Sequence, residues 1–179
     1  MPGPLEAVTT YFHAKDGNRP FLMRRAFAED ARLEMVVKTD AISFPGTASG
    51  LAELEEVLVR RIATDFENVH SFGLRRPGEA DRRDFTCPWL VAMSARTDGA
   101  VRVGSGRYDW RFSSDARCLV EKLVITIDVM EVLPATDLGS VMGWITDLPY
   151  PWCRPDEVVH GMPRLEALAP VERYLKKLG

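Results

Sequence analysis

The amino-acid sequence predicts an α+β fold in which three N-terminal helices pack on a strongly bent antiparallel sheet and a helical tail follows. Three successive patterns along the 179 residues predict it. Apolar residues first recur at helical spacing, then alternate with polar residues in long segments, and finally give way to a proline-rich stretch. Helices followed by consecutive hairpins are typical of an α+β domain.

Three helices are predicted in the N-terminal part. The first spans 5–15 and ends at the turn-forming residues 16–18. The second begins near Pro20, which is favourable in a first helical turn because its missing N–H loses no hydrogen bond there. A short strand is predicted at 31–37. The third and clearest helix spans 51–66 and carries its charges mainly on the face opposite its leucines.

The middle of the chain reads as an antiparallel meander. Turn residues separate its four predicted strands, which span 69–74, 83–95, 101–113 and 118–133. Strands of this length must bend to cover a small core. Pro88, Gly104 and Gly106 are of the residue types found at bends and bulges.

The chain changes character again after Pro134. A short helix is predicted at 136–148, and the later prolines allow only short pieces up to a last helical turn or two at 171–178. The sequence therefore predicts an α+β domain at 1–133 and a proline-rich, partly helical extension at 134–179. This extension is expected to wrap either the domain or a partner subunit.

Composition and charge exclude several classes of function. The formal net charge is −3 and the basic residues are scattered, which gives no electrostatic basis for binding nucleic acid. No stretch approaches the roughly 20 apolar residues of a membrane helix, and no secretory signal is visible, so we expect a cytoplasmic protein without a membrane partner. The three cysteines and three histidines are too dispersed for a metal site, and no nucleotide-binding motif occurs, so no cofactor is expected.

A family resemblance rests on the order of elements and on three short segments. These are Ala-Phe-Ala-Glu-Asp-Ala at 26–31, Gly-Arg-Tyr-Asp-Trp-Arg-Phe at 106–112 and Ile-Thr-Ile-Asp at 125–128. Together they resemble the NTF2-like (SnoaL-like) superfamily over roughly the first 133 residues. The resemblance implies a cone-shaped fold around a pocket. It does not specify a reaction, because this fold hosts isomerases, dehydratases, epoxide hydrolases, cyclases and non-enzymatic binders.

The resemblance fails at the catalytic positions of two characterised groups. Tyr11 aligns with the oxyanion-hole tyrosine of ketosteroid isomerases, but Met35 stands at the position of their base and Tyr108 at that of their second acid. Asp128 aligns with one aspartate of limonene-epoxide-hydrolase-like members. Their other two polar positions are Trp89 and Val91 here. Neither known route is therefore expected.

Although these catalytic residues are missing, the alternation of aromatic and polar residues along the strands predicts an aromatic pocket. Alternate residues of a strand share one face, and the resemblance implies that this face looks into the cone. His70, at the start of a strand, would add a group that titrates near neutral pH. The predicted ligand-binding residues are Tyr108, Trp110, Trp89, Phe112, Met35 and His70. The alternative is that the aromatic side chains fill the core and that His70 is structural.

Two residues are candidates for catalysis. Asp128 ends an apolar run, where burial would raise its pKa and make it a useful base. Tyr11 could donate a hydrogen bond to a carbonyl or anionic oxygen. The alternatives are a strand-end aspartate that pairs with loop N–H groups or an arginine, and a core tyrosine bonded to backbone.

Two hypotheses about function follow. The first is a small-molecule-binding protein with an apolar pocket that uses acid–base chemistry of the isomerase, dehydratase or cyclase type. The second is a non-catalytic module that binds a ligand or another protein. In both, a homodimer through the outer sheet face is expected, because the last strand is apolar on both faces.

Overall fold

A six-stranded sheet curves around the N-terminal helices in the computed structural model, which describes residues 3–179. The strands are β1 (Phe27–Val37), β2 (Thr47–Ser49), β3 (Phe66–Gly73), β4 (Asp84–Ala95), β5 (Val101–Phe112) and β6 (Val120–Leu133). The helices are α1 (Pro4–Asp16), α2 (Met23–Ala26), α3 (Leu51–Glu55), α4 (Arg61–Asp65), α5 (Leu138–Asp147), α6 (Pro155–Gly161) and α7 (Ala169–Lys176). The predicted α+β class is confirmed.

The second and third predicted helices differ from the expectation in detail. The second is a 3₁₀ turn, Pro20–Leu22, followed by the single turn α2. Phe27 already belongs to β1, and its ring packs in the core beside that of Trp110. The third is one continuous helix whose central turn, Glu56–Arg60, is π-helical and joins α3 to α4. Periodicity alone does not reveal such local changes of winding.

The sheet is mixed and not purely antiparallel. Its strand order is β2-β1-β6-β5-β4-β3. The predicted meander β3 to β6 is antiparallel throughout, but β1 pairs in parallel with β6. The alternation of apolar residues fixes which face of a strand is buried, whereas it contains no information about which distant strand lies beside it.

Bulges bend the long strands. In the β5–β6 pair the register shifts between Ser105 and Gly106, as expected for one of the predicted bend positions. A Cβ atom at Gly106 would overlap with the carbonyl of Thr126 and crowd the Trp89 ring. Only glycine therefore allows β5 and β6 to approach at this point.

The main core lies between the concave face of the sheet and helices α1 to α4. Side chains of β4 and β5 that alternate along each strand enter it, as predicted. Its aromatic centre consists of Tyr11, Phe12, Phe27, Trp89, Tyr108, Trp110 and Phe112.

The C-terminal extension covers part of the convex, outer face. A second apolar cluster joins β3, β4, β5 and the end of β6 to helices α5, α6 and α7. The Trp152 ring lies against Gly73, where a Cβ atom would overlap with it, and the Trp152 indole N–H donates to Thr9 Oγ1 at 3.0 Å. The extension thus contacts both the sheet edge and α1. The division at residue 133 into two parts stays a prediction.

This arrangement covers part of the apolar surface on which the predicted homodimer rests. Val120 and Leu123 point into the main core, and the extension covers the apolar half of the outer face. The half that stays open carries ion pairs, among them Lys122–Glu34 and Arg111–Asp84. None of the helices in residues 3–179 combines the length and the apolar character that crossing a bilayer requires.

Candidate ligand-binding site

A small cavity lies between the concave sheet face, α1 and the α3–α4 helix. Its volume is about 50 Å³. Its wall is mainly aliphatic and sulfur-bearing, with Met35, Met93 and Met130 among the lining residues. Tyr11, Trp89 and Tyr108 add aromatic surface. This mixture of apolar wall and few polar groups is typical of small-molecule sites.

Two residues that line the cavity carry a buried donor without a hydrogen-bond partner among residues 3–179. The Tyr11 hydroxyl and the Trp89 indole nitrogen are both buried and unpaired within residues 3–179. The Trp110 indole nitrogen, deeper in the same aromatic cluster, is unpaired as well. Most buried polar groups in proteins are paired, and an unpaired one costs about 1–3 kcal/mol. The aromatic cluster thus contains three buried donors whose partner is not among the described residues.

The phenols of Tyr11 and Tyr108 meet at the aromatic centre. Their ring centroids are 5.9 Å apart and the rings are perpendicular. Burial raises the pKa of both phenols above the ordinary value, and the proximity of the two hydroxyls has a smaller effect that lowers the pKa of Tyr11 and raises that of Tyr108. Both groups therefore stay protonated at neutral pH and can act as hydrogen-bond donors.

Lys15 lies one helical turn after Tyr11 on the same face of α1 and also lines the cavity. Its side chain is 9% exposed, and its ammonium donates to Ser71 Oγ at 2.7 Å and to Asp16 Oδ1 at 3.1 Å. Asp16 in turn accepts from the Ser71 N–H at 2.6 Å, the Ser71 hydroxyl at 2.9 Å and the Tyr150 hydroxyl at 3.0 Å. This network ties α1, β3 and the extension together beside the cavity.

The segment 38–46 between β1 and β2 closes one side of the cavity. Ile42 and Phe44 of this segment line the cavity and are only half-buried. Backbone bonds hold the segment near its ends, from Lys38 N–H to the Ile127 carbonyl at 3.0 Å and from Met35 N–H to the Gly46 carbonyl at 2.9 Å. The Ile42 and Phe44 side chains thus form part of the cavity wall while remaining partly exposed to solvent.

The structure brings four of the predicted site residues to the cavity, namely Tyr11, Met35, Trp89 and Tyr108. Trp110 and Phe112 are buried in the same aromatic cluster but do not line it. For these two residues the alternative interpretation as core packing fits the structure better. Trp110 still supports the site, because its ring centroid lies 5.3 Å from that of Tyr11.

Asp128 does not reach the cavity. It lies on β6 between Ile127, which points inward, and Val129. Its carboxylate accepts from Lys38 Nζ and from the Tyr174 hydroxyl, each at 2.8 Å. Burial alone would raise its pKa, but these bonds and the positive charge of Lys38 outweigh it, so the pKa is lowered. The alternative of an aspartate in an ion pair thus fits this residue, although Asp128 lies within β6 and not at its end, and its partner is a lysine in place of the expected arginine.

His70 also lies away from the cavity. It borders a separate surface groove beside His13 and Tyr150, and its Nδ1 is 3.1 Å from the Asn68 carbonyl. The alternation along β3 explains this position, because the neighbouring Val69 points into the main core. The predicted ligand contact of His70 is therefore absent from the described cavity.

Sequence reasoning missed Lys15 and Met130 as wall residues, whereas alternation along β4 predicts the inward position of Met93. The available signal for Lys15 was its spacing of four residues from Tyr11, which places both on one face of a helix. Met93 lies on the predicted inward face of β4. Met130 follows a β-bulge, which changes the alternation along β6.

Structural neighbours agree with this architecture. A protein of Catenulispora acidiphila with a ketosteroid isomerase-like fold, solved in complex with trimethylamine, superimposes with a TM-score of 0.53 at 17% identity, over 69% of this chain and 85% of that one. An NTF2-like protein of Burkholderia thailandensis reaches 0.56 at 16% identity, over 72% and 92% of the two chains. The chain has the NTF2-like fold.

Other proteins with the NTF2-like fold include enzymes. A hexachlorocyclohexane dehydrochlorinase superimposes with a TM-score of 0.55 at 12% identity, over 71% of this chain and 84% of that one. No protein-family model matches the sequence, and no curated protein matches it at a significant level. At such low identity the neighbours establish the fold, and the activity must be argued from the site.

Proposed function

We propose that this NTF2-like protein binds a small, mainly apolar molecule whose oxygen accepts hydrogen bonds in the cavity. The observation that carries the proposal is a mainly apolar cavity whose lining residues include Tyr11 and Trp89, each with a buried donor, Oη and Nε1, that has no partner among residues 3–179. An acceptor oxygen would satisfy both donors and remove their desolvation penalty.

The wall supports binding better than acid–base catalysis. Lys15 and the two tyrosines are its only titratable residues, and it contains no carboxylate and no imidazole among residues 3–179. The phenols are held in their protonated form by burial, and Lys15 is engaged with Asp16. A proton abstraction at neutral pH needs a base with a suitable pKa within hydrogen-bond reach. We therefore favour the non-catalytic hypothesis over an isomerase, dehydratase or cyclase.

The size of the cavity limits the ligand. A cavity of roughly 150 Å³ in another protein holds benzene, whereas this one measures about 50 Å³. The ligand is therefore a molecule of a few carbon atoms, with some further room from the lining methionines, whose unbranched side chains adapt easily. A cation such as the trimethylamine named for one neighbour is disfavoured here, because it would meet the Lys15 ammonium.

The test compares how different small probe molecules bind to the full-length chain. Protein-observed NMR titrations with 2-butanone and isobutyramide should perturb the Tyr11 and Trp89 signals saturably, and tert-butylammonium, a donor-only cation of similar size, should not. Tyr11→Phe should weaken the binding of the acceptor probes. Tyr174→Phe, a control at a hydroxyl that bonds to Asp128 on the outer face, should not. Equal binding of the cation and the acceptors would contradict the proposal.

The acid–base alternative and the expected dimer are tested separately. Deuterium exchange of the α-protons of 2-butanone, faster with protein than in buffer and lost in Tyr11→Phe, would restore the enzymatic hypothesis. The homodimer through the outer sheet face stays a prediction, and light scattering would detect it. Microscopy of a tagged chain would test the proposed cytoplasmic location.

A further inference from the structure

We propose that the segment 39–45 is a gate through which small molecules reach the cavity, and that the Arg102 side chain holds this gate closed. The inference concerns access to the cavity and does not depend on the chemistry of the ligand. It starts from the burial of the cavity wall. Among the residues that line the cavity, Ile42 and Phe44 are half-buried and all the others are buried. Solvent therefore meets the cavity at this segment.

Few bonds tie the segment 39–45 to the rest of the fold. It contains neither helix nor strand, and backbone bonds secure the chain just outside it, at Lys38 and at Gly46. Between these two points, no backbone N–H or carbonyl group bonds to the backbone of another part of residues 3–179. Backbone with so few bonds opens at a low cost in free energy. The segment can thus move about its two secured ends while β1 and β2 stay paired.

A single side chain from elsewhere in residues 3–179 bonds to the segment. Arg102 Nε donates to the Ala41 carbonyl at 3.2 Å. Arg102 lies on β5 directly opposite Met93 of β4, which lines the cavity, and residues paired in this way project from the same face of a sheet. The Arg102 guanidinium also lies over the Phe66 ring, 5.1 Å from its centroid. This packing holds the guanidinium where it can bond to the residue that precedes Ile42.

The other walls of the cavity are much harder to open. They consist of residues from α1, the α3–α4 helix and the strands β1, β4, β5 and β6. Entry between these elements would separate packed helices or paired strands. Entry beneath the gate requires only that the Arg102 bond breaks and that the Ile42 and Phe44 side chains leave the wall. Loops that close over binding sites commonly move in this way.

Oxidation of buried methionines measures how often the gate opens. Met93 and Met130 line the cavity, whereas Met23 is buried in the main core and does not line it. The full-length chain is treated with dilute hydrogen peroxide, and mass spectrometry of its peptides gives the rate of oxidation at each methionine. No ligand is required, so the outcome is separate from that of the proposed function.

Arg102→Leu removes the bond to the Ala41 carbonyl. We expect both cavity methionines to be oxidised about two- to tenfold faster in this variant, because a hydrogen bond contributes a factor of this size to an equilibrium. The rate at Met23 should not change. The matched control is Arg111→Leu, also on β5 but paired with Asp84 on the outer face, which should leave all three rates unchanged. Equal acceleration at all three methionines, or unchanged rates at the cavity methionines, would overturn the inference.

A second measurement uses the unmodified chain and still decides if Arg102→Leu does not fold. Opening the gate exposes little surface, so urea below the unfolding transition should barely change the oxidation of the two cavity methionines. Met23 becomes accessible through wider unfolding, and its rate should rise with urea concentration. A parallel rise at Met23 and at the cavity methionines would show that the cavity opens only when the domain unfolds, which contradicts the gate.

Discussion

At the scale of single residues, the unpaired hydroxyl of Tyr11 distinguishes a role of this residue in binding from a role in stability. It lies at the aromatic centre with 0% exposure and without a partner in the described chain. Replacing a buried, unpaired hydroxyl by hydrogen removes a desolvation penalty. Tyr11 is therefore expected to reduce the stability of the ligand-free protein.

We predict that Tyr11→Phe leaves the free energy of unfolding unchanged or raises it by about 1 kcal/mol. Urea denaturation of the ligand-free chain measures this. Tyr150→Phe is the comparison, because that hydroxyl donates to Asp16 at 3.0 Å and its loss should destabilise the protein. Destabilisation by Tyr11→Phe comparable to that of Tyr150→Phe would show that Tyr11 has a protein partner.

A second residue-scale prediction concerns Asp128. Its pKa is lowered in the folded state, mainly through Lys38 and Tyr174 acting against the effect of burial. An aspartate with a lowered folded pKa stabilises the protein above its unfolded pKa of about 3.9 and loses this contribution as the pH falls through the folded pKa.

The difference in unfolding free energy between the parent chain and Asp128→Asn should accordingly be present at pH 6 and vanish in strong acid. Ligand binding should be unaffected, since Asp128 lies outside the cavity wall. Loss of ligand binding in an Asp128→Asn variant that remains folded would show that Asp128 belongs to the ligand-binding site.

At the scale of elements, the sequence predicted the number, type and inward face of most helices and strands. The alternation along β4 and β5 placed Trp89 and Tyr108 in one hollow, which the structure confirms. The parallel pairing of β1 with β6 and the outward position of Asp128 were not predictable in this way. Both depend on contacts between segments far apart in sequence and on a bulge that local patterns do not encode.

The close approach of β5 and β6 at Gly106 leads to a prediction about β5. Gly106→Ala places a Cβ atom against the Thr126 carbonyl, which is backbone and cannot move aside without breaking the β5–β6 pairing. We expect destabilisation by about 3 kcal/mol or more. The matched control is Gly143→Ala in α5, where a Cβ atom meets nothing within 4 Å.

Because alanine is the better helix former, Gly143→Ala should stabilise the protein by about 0.5–1 kcal/mol. Thermal unfolding of both variants distinguishes the two effects. A small loss at Gly106, equal in size to an ordinary surface substitution, would mean that the two strands do not approach as closely as described.

At the scale of the whole molecule, the C-terminal extension covers apolar surface of the sheet that a second subunit could otherwise cover. It buries Phe72, Leu90, Val101 and Val103 of the outer face beneath α5 and α7. The sequence predicted an extension that wraps either its own domain or a partner. It could not choose between them, because an apolar helix face has the same pattern whichever surface it covers.

Removal of residues 134–179 should therefore expose a continuous apolar surface. We predict that the truncated chain self-associates or aggregates and binds a hydrophobic dye, whereas the full-length chain does not. Size-exclusion chromatography with light scattering measures the difference. A truncated chain that stays monomeric and unfolds cooperatively would show that 1–133 is complete by itself.

The central claim is that the cavity holds an acceptor oxygen which Tyr11 and Trp89 bind together. A high-resolution crystal structure of the full-length chain grown with isobutyramide tests it most directly. The account predicts density in the cavity with an oxygen within about 3 Å of both Tyr11 Oη and Trp89 Nε1. A dry cavity, with both donors bonded to protein groups instead, would contradict it.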